Sequence, residues 1–399
     1  MPKLAPQETC TGCMACMNAC SKNALIFKED EEGFLQPSVD SNICVECGLC
    51  ERSCPEIQNK FHQNNGPQDT YAGWNSTDRC ISSSGGAFSS IARYVLSLGG
   101  YVYGATQENL LCKHIEINTI EGLSKLRGSK YIQSNIGLNY KKVKKHLMAD
   151  EHVLFSGTPC QISGLLSFLG KEYKKLITID LICHGVPSQA VFSSYIEKLN
   201  KRLDFVGNEE VMTYEFRRRN GWAISPHITT TMNNSHKLDG VNSLYMSAFV
   251  KGATFRKSCY TCHYAKPMRV GDFSIGDFWG IGHYGVPFKY DTTKGVSLLI
   301  VNSEKGRSLM ELLGRDDFYV KRTFEEAIAG NHNLSKVSNM NKNRDEIIKA
   351  FLDKNIGLDE IEQKYHLVNK SLKKRIATIA SKFGVYDYLK KIYNIIGRL

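Results

Sequence analysis

Eight cysteines between Cys10 and Cys54 constrain this chain of 399 residues more than any other feature. Cys10, Cys13, Cys16 and Cys20 form one run, and Cys44, Cys47, Cys50 and Cys54 form a second that Pro55 closes. Each run reads C-x2-C-x2-C-x3-C. That spacing supplies thiolates for two [4Fe-4S] clusters, the fourth cysteine of each run crossing to ligate the other cluster. Zinc modules pair CxxC units instead of running three cysteines at short, equal intervals. A disulfide framework needs an oxidising compartment, whereas Met1 to Glu8 holds two prolines and no apolar core of the kind an export signal carries. The expected location is therefore a reducing cytoplasm. The first run lacks the proline of the second, a departure without chemical consequence.

A ferredoxin-type unit of residues 1–57 leaves enough chain for a large second domain with its own core. Hydrophobic residues make up 42% and charged residues 23% of the chain, as in soluble globular proteins. No apolar run approaches the ~20 residues of a membrane span. Charge is uneven: residues 1–56 hold nine acidic and four basic side chains, whereas residues 367–399 hold eight basic and one acidic. The overall +11 is thus concentrated in the tail and is not a general nucleic-acid signature, so no nucleic-acid partner is expected. Ile376, Ile379, Phe383, Tyr386, Leu389, Ile392, Tyr393 and Ile396 recur among lysines at roughly helical spacing. Such a helix either seeks an anionic lipid surface at the inner membrane face or docks on the protein with a solvated basic face.

Along the chain, Ser21 to Val39 reads as the hairpin between the cysteine runs, with Gly33 at its turn. Polar residues 58–70, containing Asn64-Asn65-Gly66-Pro67, read as a linker. The second domain, residues 71–314, opens with a strand at Tyr71 to Trp74. Ser83, Ser84, Gly85, Gly86 and Ala87 follow, at the start of a helix marked by Phe88, Ile91, Val95 and Leu98. Free backbone N–H groups there can seat a phosphate or pyrophosphate, while a plain serine cap with flexible glycines explains the same pattern. In Ser129, Lys130, Tyr131, Ile132 and Gln133, a cation and a ring suit an anionic, stackable cofactor, or the stretch is a surface turn.

Two similar units come next: an apolar strand ending in Cys160 before a helix, and a second strand ending in Cys183-His184-Gly185 before another helix. Strand, short loop and helix repeated in this way imply a parallel sheet, with both cysteines at carboxyl ends of strands, where such sheets carry their sites. Cys259 and Cys262 add a CxxC. Three readings stand for Cys160, Cys183, Cys259 and Cys262: a third metal centre, a nucleophilic Cys160 with His184 as base, or buried thiols packing as small apolar groups. Cys80 and Cys112 have no partner spacing and read as structural. Arg217-Arg218-Arg219 is a candidate anion contact or a solvated loop. Residues 315–399 read as a helical, basic tail without chemistry.

SSSGGAF at 82–88, GSKYIQS at 128–134, FSGTPCQISGL at 155–165, DLICHGVPS at 180–188 and FRKSCYTCHYAKPMRVGDFSIGDFWGI at 255–281 together resemble the coenzyme F420 hydrogenase/dehydrogenase beta-subunit family. The resemblance runs over roughly residues 1–300. It implies an α/β (α+β overall) protein: a small ferredoxin-like domain, a larger FAD-binding domain on a mixed or parallel sheet, and a helical tail. It also implies an oxidoreductase in which electrons pass between iron-sulfur clusters and FAD. The flavin then exchanges hydride with coenzyme F420 or another organic substrate, and ferredoxin or another redox protein acts as donor or acceptor. By this resemblance Ser83 to Ala87 and Ser129 to Gln133 hold the flavin, and Cys160, Cys183, Cys259 and Cys262 hold a third cluster near it. Many bacterial members look associated with polysaccharide biosynthesis. An electron-transfer subunit of a larger complex and a homo-oligomer are further expectations.

Overall fold

The computed structural model describes residues 1–64, 69–205, 209–217, 222, 224–284, 286–313 and 315–368. Arg218, Arg219 and the basic helix expected within 370–398 lie outside the described residues.

The cysteine runs flank a hairpin of β1 (Leu25–Glu29) and β2 (Leu35–Val39). Asp30 shapes its turn by accepting from the backbone N–H of Glu32 and of Phe34, each at 2.9 Å. Gly33 at the tip has φ +74°, and a methyl group there would lie 2.3 Å from Ala190 Cβ. Glycine is therefore required twice over, by backbone sign and by close approach to the helix Gln189–Leu203.

The large domain is built from β3 (Asp69–Trp74), β4 (Tyr101–Glu108), β5 (Leu111–Ile117), β6 (Val153–Gly157), β7 (Leu176–Leu181), β8 (Val211–Glu215), β9 (His227–Thr230), β10 (Ser235–Lys237), β11 (Phe273–Asp277), β12 (Ser297–Val301) and β13 (Phe318–Arg322). Eight of these form one mixed sheet in the order β13-β3-β12-β11-β7-β6-β4-β5, and β8, β9 and β10 form a small antiparallel sheet. At the centre β4, β6, β7 and β11 run parallel. Because β12 is antiparallel to both β11 and β3, β3 points the same way as those four.

Strand alternation divides the core into two layers. Val102, Leu154, Ile177 and Ile179 face the helices Ala87–Ser97 and Glu304–Leu313. Tyr103, Val153, Phe155 and Leu176 face the opposite layer, which contains the helix Pro159–Leu169 together with Cys13, Met14 and Ala15 of the first cysteine run. The cluster-bearing front is therefore part of one core layer of the sheet.

Two stretches differ from the sequence reading. Phe61, His62 and Asn64, inside the polar segment read as a linker, are docked: Phe61 stacks on His263 at 3.8 Å, His62 Nε2 meets Ser167 Oγ at 3.1 Å, and the Asn64 amide donates to the carbonyls of Val270 and Gly271. Residues 318–322 form the edge strand β13 in a region read as helical. Phe318, Tyr319 and Val320 are good strand formers, and pairing with β3 satisfies that strand's outer backbone groups. Among the described residues no helix is long and apolar enough to cross a membrane.

Candidate functional site

Cys10, Cys13, Cys16 and Cys54 line one cavity, together with Cys50, and Cys20, Cys44, Cys47 and Cys50 line the next. Burial raises the Cys16 thiol well above its ordinary value, and the nearby Cys13, Cys10 and Cys54 raise it further. Cys50 is raised by burial first and also by Cys20. The fourth cysteine of each run thus stands with the first three of the other, as the spacing predicts. The hairpin between the runs folds them face to face and so makes that exchange.

A third group gathers at the carboxyl ends of β6 and β7. Cys160 opens the helix Pro159–Leu169, and a capping box of Thr158 and Gln161 fixes its first turn. Burial pushes the Cys160 thiol up to about 12, helped by Cys262 and Cys259 and opposed by the Thr158 hydroxyl at 3.1 Å. Burial likewise raises Cys183 well above its ordinary value, and Cys259, Cys160 and Cys262 add to it. All four thiols therefore face one another. His184 turns to Phe249 and His332 instead, with ring centroids 6.4 and 5.6 Å away. Burial and His332 lower its pKa.

Three sets of four sulfurs, each in surroundings that disfavour a bare thiolate, need a compensating positive charge. Among the described residues no group of His, Cys, Asp or Glu is arranged around a single ion. Tetrahedral zinc, with Zn–S bonds of about 2.3 Å, would demand such an arrangement. Sulfurs spaced around a cavity suit a polynuclear iron-sulfur cluster, and the donor sets fit one.

The two loops implicated in flavin binding meet at the same edge of the sheet. Ser83 Oγ accepts from the backbone N–H of Ser129 at 3.1 Å, and Ser84 Oγ donates to the Val296 carbonyl at 3.1 Å. A methyl group at Gly85 would lie 2.2 Å from the Gly73 carbonyl oxygen, so this glycine lets the loop cross the end of β3. Gly86 (φ +86°) starts the helix, and the Ala87 N–H is taken by Ser297 Oγ at 3.3 Å. The other residues of the second motif have protein partners. Lys130 Nζ donates to the carbonyls of Leu126 and Arg127 at 2.8 and 2.9 Å. Tyr131 packs on Phe249 and Phe216. Gln133 Nε2 donates 2.9 Å to the Thr11 carbonyl, inside the first cysteine run.

Sequence reasoning missed two charged groups beside these loops. Asp78, with 1% of its side chain exposed, holds Arg93 at 2.9 Å and Arg127 at 2.5 Å, tying the Ser/Gly loop to the helix behind it and to the second motif. Asp277, at the carboxyl end of β11, accepts from Arg217 at 2.5 Å and from the Trp222 indole at 2.6 Å, and Trp222 stacks on Trp279 at 5.2 Å. Arg217 Nε is buried without a hydrogen-bond acceptor among the described residues. The dense Gly, Asp and aromatic composition of Gly271 to Gly282 was the one signal of this second group.

Comparison with known proteins agrees with this layout. Residues 9–56 match a 4Fe-4S dicluster domain, and residues 150–326 match the family described as the C terminus of the coenzyme F420 hydrogenase/dehydrogenase beta subunit. The chain carries the C-terminal domain of this beta-subunit family. The ferredoxin-type protein NapF of Escherichia coli, in strain K12 and in O157:H7, is 40% identical over 43 residues, 11% of this chain and 26% of NapF. The chain thus spans about a quarter of the length of these curated relatives. A chain of the xenon-derivatised F420-reducing [NiFe] hydrogenase complex from Methanosarcina barkeri aligns with 17% identity and a TM-score of 0.44, over 74% of this chain and 91% of that one. The protein is an iron-sulfur electron-transfer protein related to the beta subunit of F420 hydrogenase.

Proposed function

We propose that the protein is an iron-sulfur flavoprotein oxidoreductase with three [4Fe-4S] clusters and FAD, exchanging hydride with a deazaflavin or another small organic substrate. The observation that carries this reading is the order of the three sulfur sets. The Cys44–Cys50 set lies at the surface, the Cys10–Cys16 set is buried against the sheet, and the Cys160–Cys262 set lies at the carboxyl edge that also holds Ser83 and Ser129. When bound, the clusters relay single electrons and the flavin turns pairs of them into hydride transfer.

The protein's own part is to hold, space and dry these groups. Cys13 lies against Gly164, where a methyl group would be 2.8 Å from its sulfur, so the helix that begins at Cys160 also packs on the first sulfur set. Cys13 and Cys160 are close enough to raise one another's partner thiols electrostatically, which supports a continuous path. At the sheet edge, Ser83 to Gly86 and the Ser129 backbone suit the pyrophosphate, and the unsatisfied Nε of Arg217 is a donor aimed at an acceptor the protein does not supply. Trp222, Trp279 and Tyr131 wall this region with aromatic surface.

A redox partner at the front is favoured by one specific feature. Ile43, Val45 and Leu49 are 47%, 59% and 38% exposed around the exposed Cys47, an apolar collar suited to a transient electron donor or acceptor. Anaerobic reconstitution tests the whole reading: about twelve irons and one FAD per chain are expected. Eight irons would remove the third cluster, and an absent flavin spectrum would overturn the flavoprotein assignment.

A further inference from the structure

Three arginines, Arg256, Arg269 and Arg344, are among the largest fully buried side chains. Arg269 pairs with Asp180 at 2.6 Å and Arg344 with Glu32 at 2.6 Å. Arg256, 1% exposed, has no such carboxylate among the described residues. Its Nη2 and Nη1 donate to a single carbonyl, that of Leu35, at 2.5 and 3.4 Å, and its Nε has no acceptor. Burying a guanidinium against one neutral acceptor costs several kcal/mol unless an anion compensates it. The anion has to come from something that binds there.

The position of Arg256 says what that is. Its backbone belongs to the Cys259–Cys262 loop: its N–H donates to Val186, and its carbonyl accepts from Cys259 at 2.9 Å. Its side chain reaches into the first cysteine run and lies on Gly12, between Cys10 and Cys13, where a methyl group would sit 3.0 Å from Nη1. Gly12, at φ +68°, is needed for both its backbone sign and this approach. We infer that Arg256 is a shared counter-charge between the cluster held by Cys10, Cys13, Cys16 and Cys54 and the cluster held by Cys160, Cys183, Cys259 and Cys262, and that it raises the reduction potential of both. The inference rests on the cluster assignment proposed above.

One-electron reduction adds a negative charge to a cluster held by four thiolates and involves no bond change. A fixed, buried cation therefore favours the reduced form of whichever cluster holds the electron. Arg256 also has the expected sign of influence on its neighbours. Burial raises the thiols of Cys10, Cys259 and Cys160, and Arg256 lowers all three. For Cys10 it is the largest opposing influence. Placed between the two sites, the same charge levels them energetically, so that an electron passes without a large uphill step.

Wild type, Arg256→Met and Arg256→Lys, purified and reconstituted without oxygen, test this by iron content and by redox titration followed with electron paramagnetic resonance. Arg256→Met should make reduction of at least one of the two inner clusters about tenfold less favourable, a negative shift of about 59 mV for one electron. Arg256→Lys keeps the charge and should shift it by less than half as much. Full iron in Arg256→Met with unchanged potentials, or equal shifts in both variants, would overturn the inference. If Arg256→Met does not retain iron, Arg256→Lys decides: full iron and near-native potentials support a counter-charge, and equal iron loss overturns it. Wild type lacking the signals of the third cluster would instead overturn the cluster assignment itself.

Discussion

His114 is a single residue whose protonation controls stability. It is 4% exposed, with Nε2 at 2.9 Å from the Ser156 carbonyl and Nδ1 at 2.9 Å from the Ser134 hydroxyl. A carbonyl only accepts, so Nε2 carries the hydrogen and Nδ1 accepts from serine, and the ring is neutral. Burial lowers its pKa to about 4. The unfolded ring titrates near ~6.5, so unfolding takes up a proton between those values, and stability falls as pH drops through that window, by about 3 kcal/mol in all. Urea unfolding from pH 7 to 4.5 should show this extra loss in wild type and not in His114→Gln. Asp78 makes a second prediction. Asp78→Asn leaves Arg127 buried without its charge partner and should cost about 3 kcal/mol, read as a lower unfolding midpoint, together with weaker FAD retention on dilution. Neither residue stood out in the sequence. A lone histidine in a strand and an aspartate before a serine run have no periodicity or spacing to mark them, and their roles come from partners tens of residues away. The cysteines were legible because metal-site spacing is local, and the order of the two front sets followed from that alone.

Secondary-structure elements were legible wherever hydrophobic period and glycine punctuation agreed. The helix Ala87–Ser97, the strands β6 and β7 and the helices behind them fall where Ile91, Val95, Leu154, Ile179, Val191 and Tyr195 place them. The strand β13 was not legible, because its five residues gain their role from pairing with β3, far away in the chain. Gly164, in the middle of the helix Pro159–Leu169, is the element-scale counterpart. Glycine there is normally a defect, and Gly→Ala in an open helix gains about 1 kcal/mol. Here a methyl group would lie 2.8 Å from Cys13 Sγ and 2.9 Å from Cys13 Cβ. Gly164→Ala should therefore lower the melting temperature and disturb the electronic spectrum of the adjacent cluster. A raised melting temperature with an unchanged spectrum would show that the helix and the cysteine run are not in the contact described.

At the scale of the whole molecule the protein is a line of centres built across a sheet, not a site added to a scaffold. Replacing Cys47, the exposed member of the outermost set, with Ser should slow reduction by an external protein donor while FAD remains bound. Loss of FAD in that variant would mean that front and edge do not act separately. Charge follows the same line. The front is acidic, but Glu46 is engaged by the N-terminal amine and Glu32 by Arg344, so the collar of Ile43, Val45 and Leu49 is the part left for a partner.

The Glu32–Arg344 pair joins residues 312 positions apart. This has a consequence in time as well as in space. During synthesis the cysteine front leaves the ribosome first, whereas the arginine that holds its hairpin emerges near the end. For most of translation the front is an unclamped module open to cluster insertion, and its docking waits for the last fifth of the chain. A chain stopped at residue 340 should accept iron in its front sets yet leave the hairpin open to protease, and protection should appear once residue 344 and the helix Arg344–Leu352 are included. The arginine in effect acts as a late latch that closes over clusters already in place.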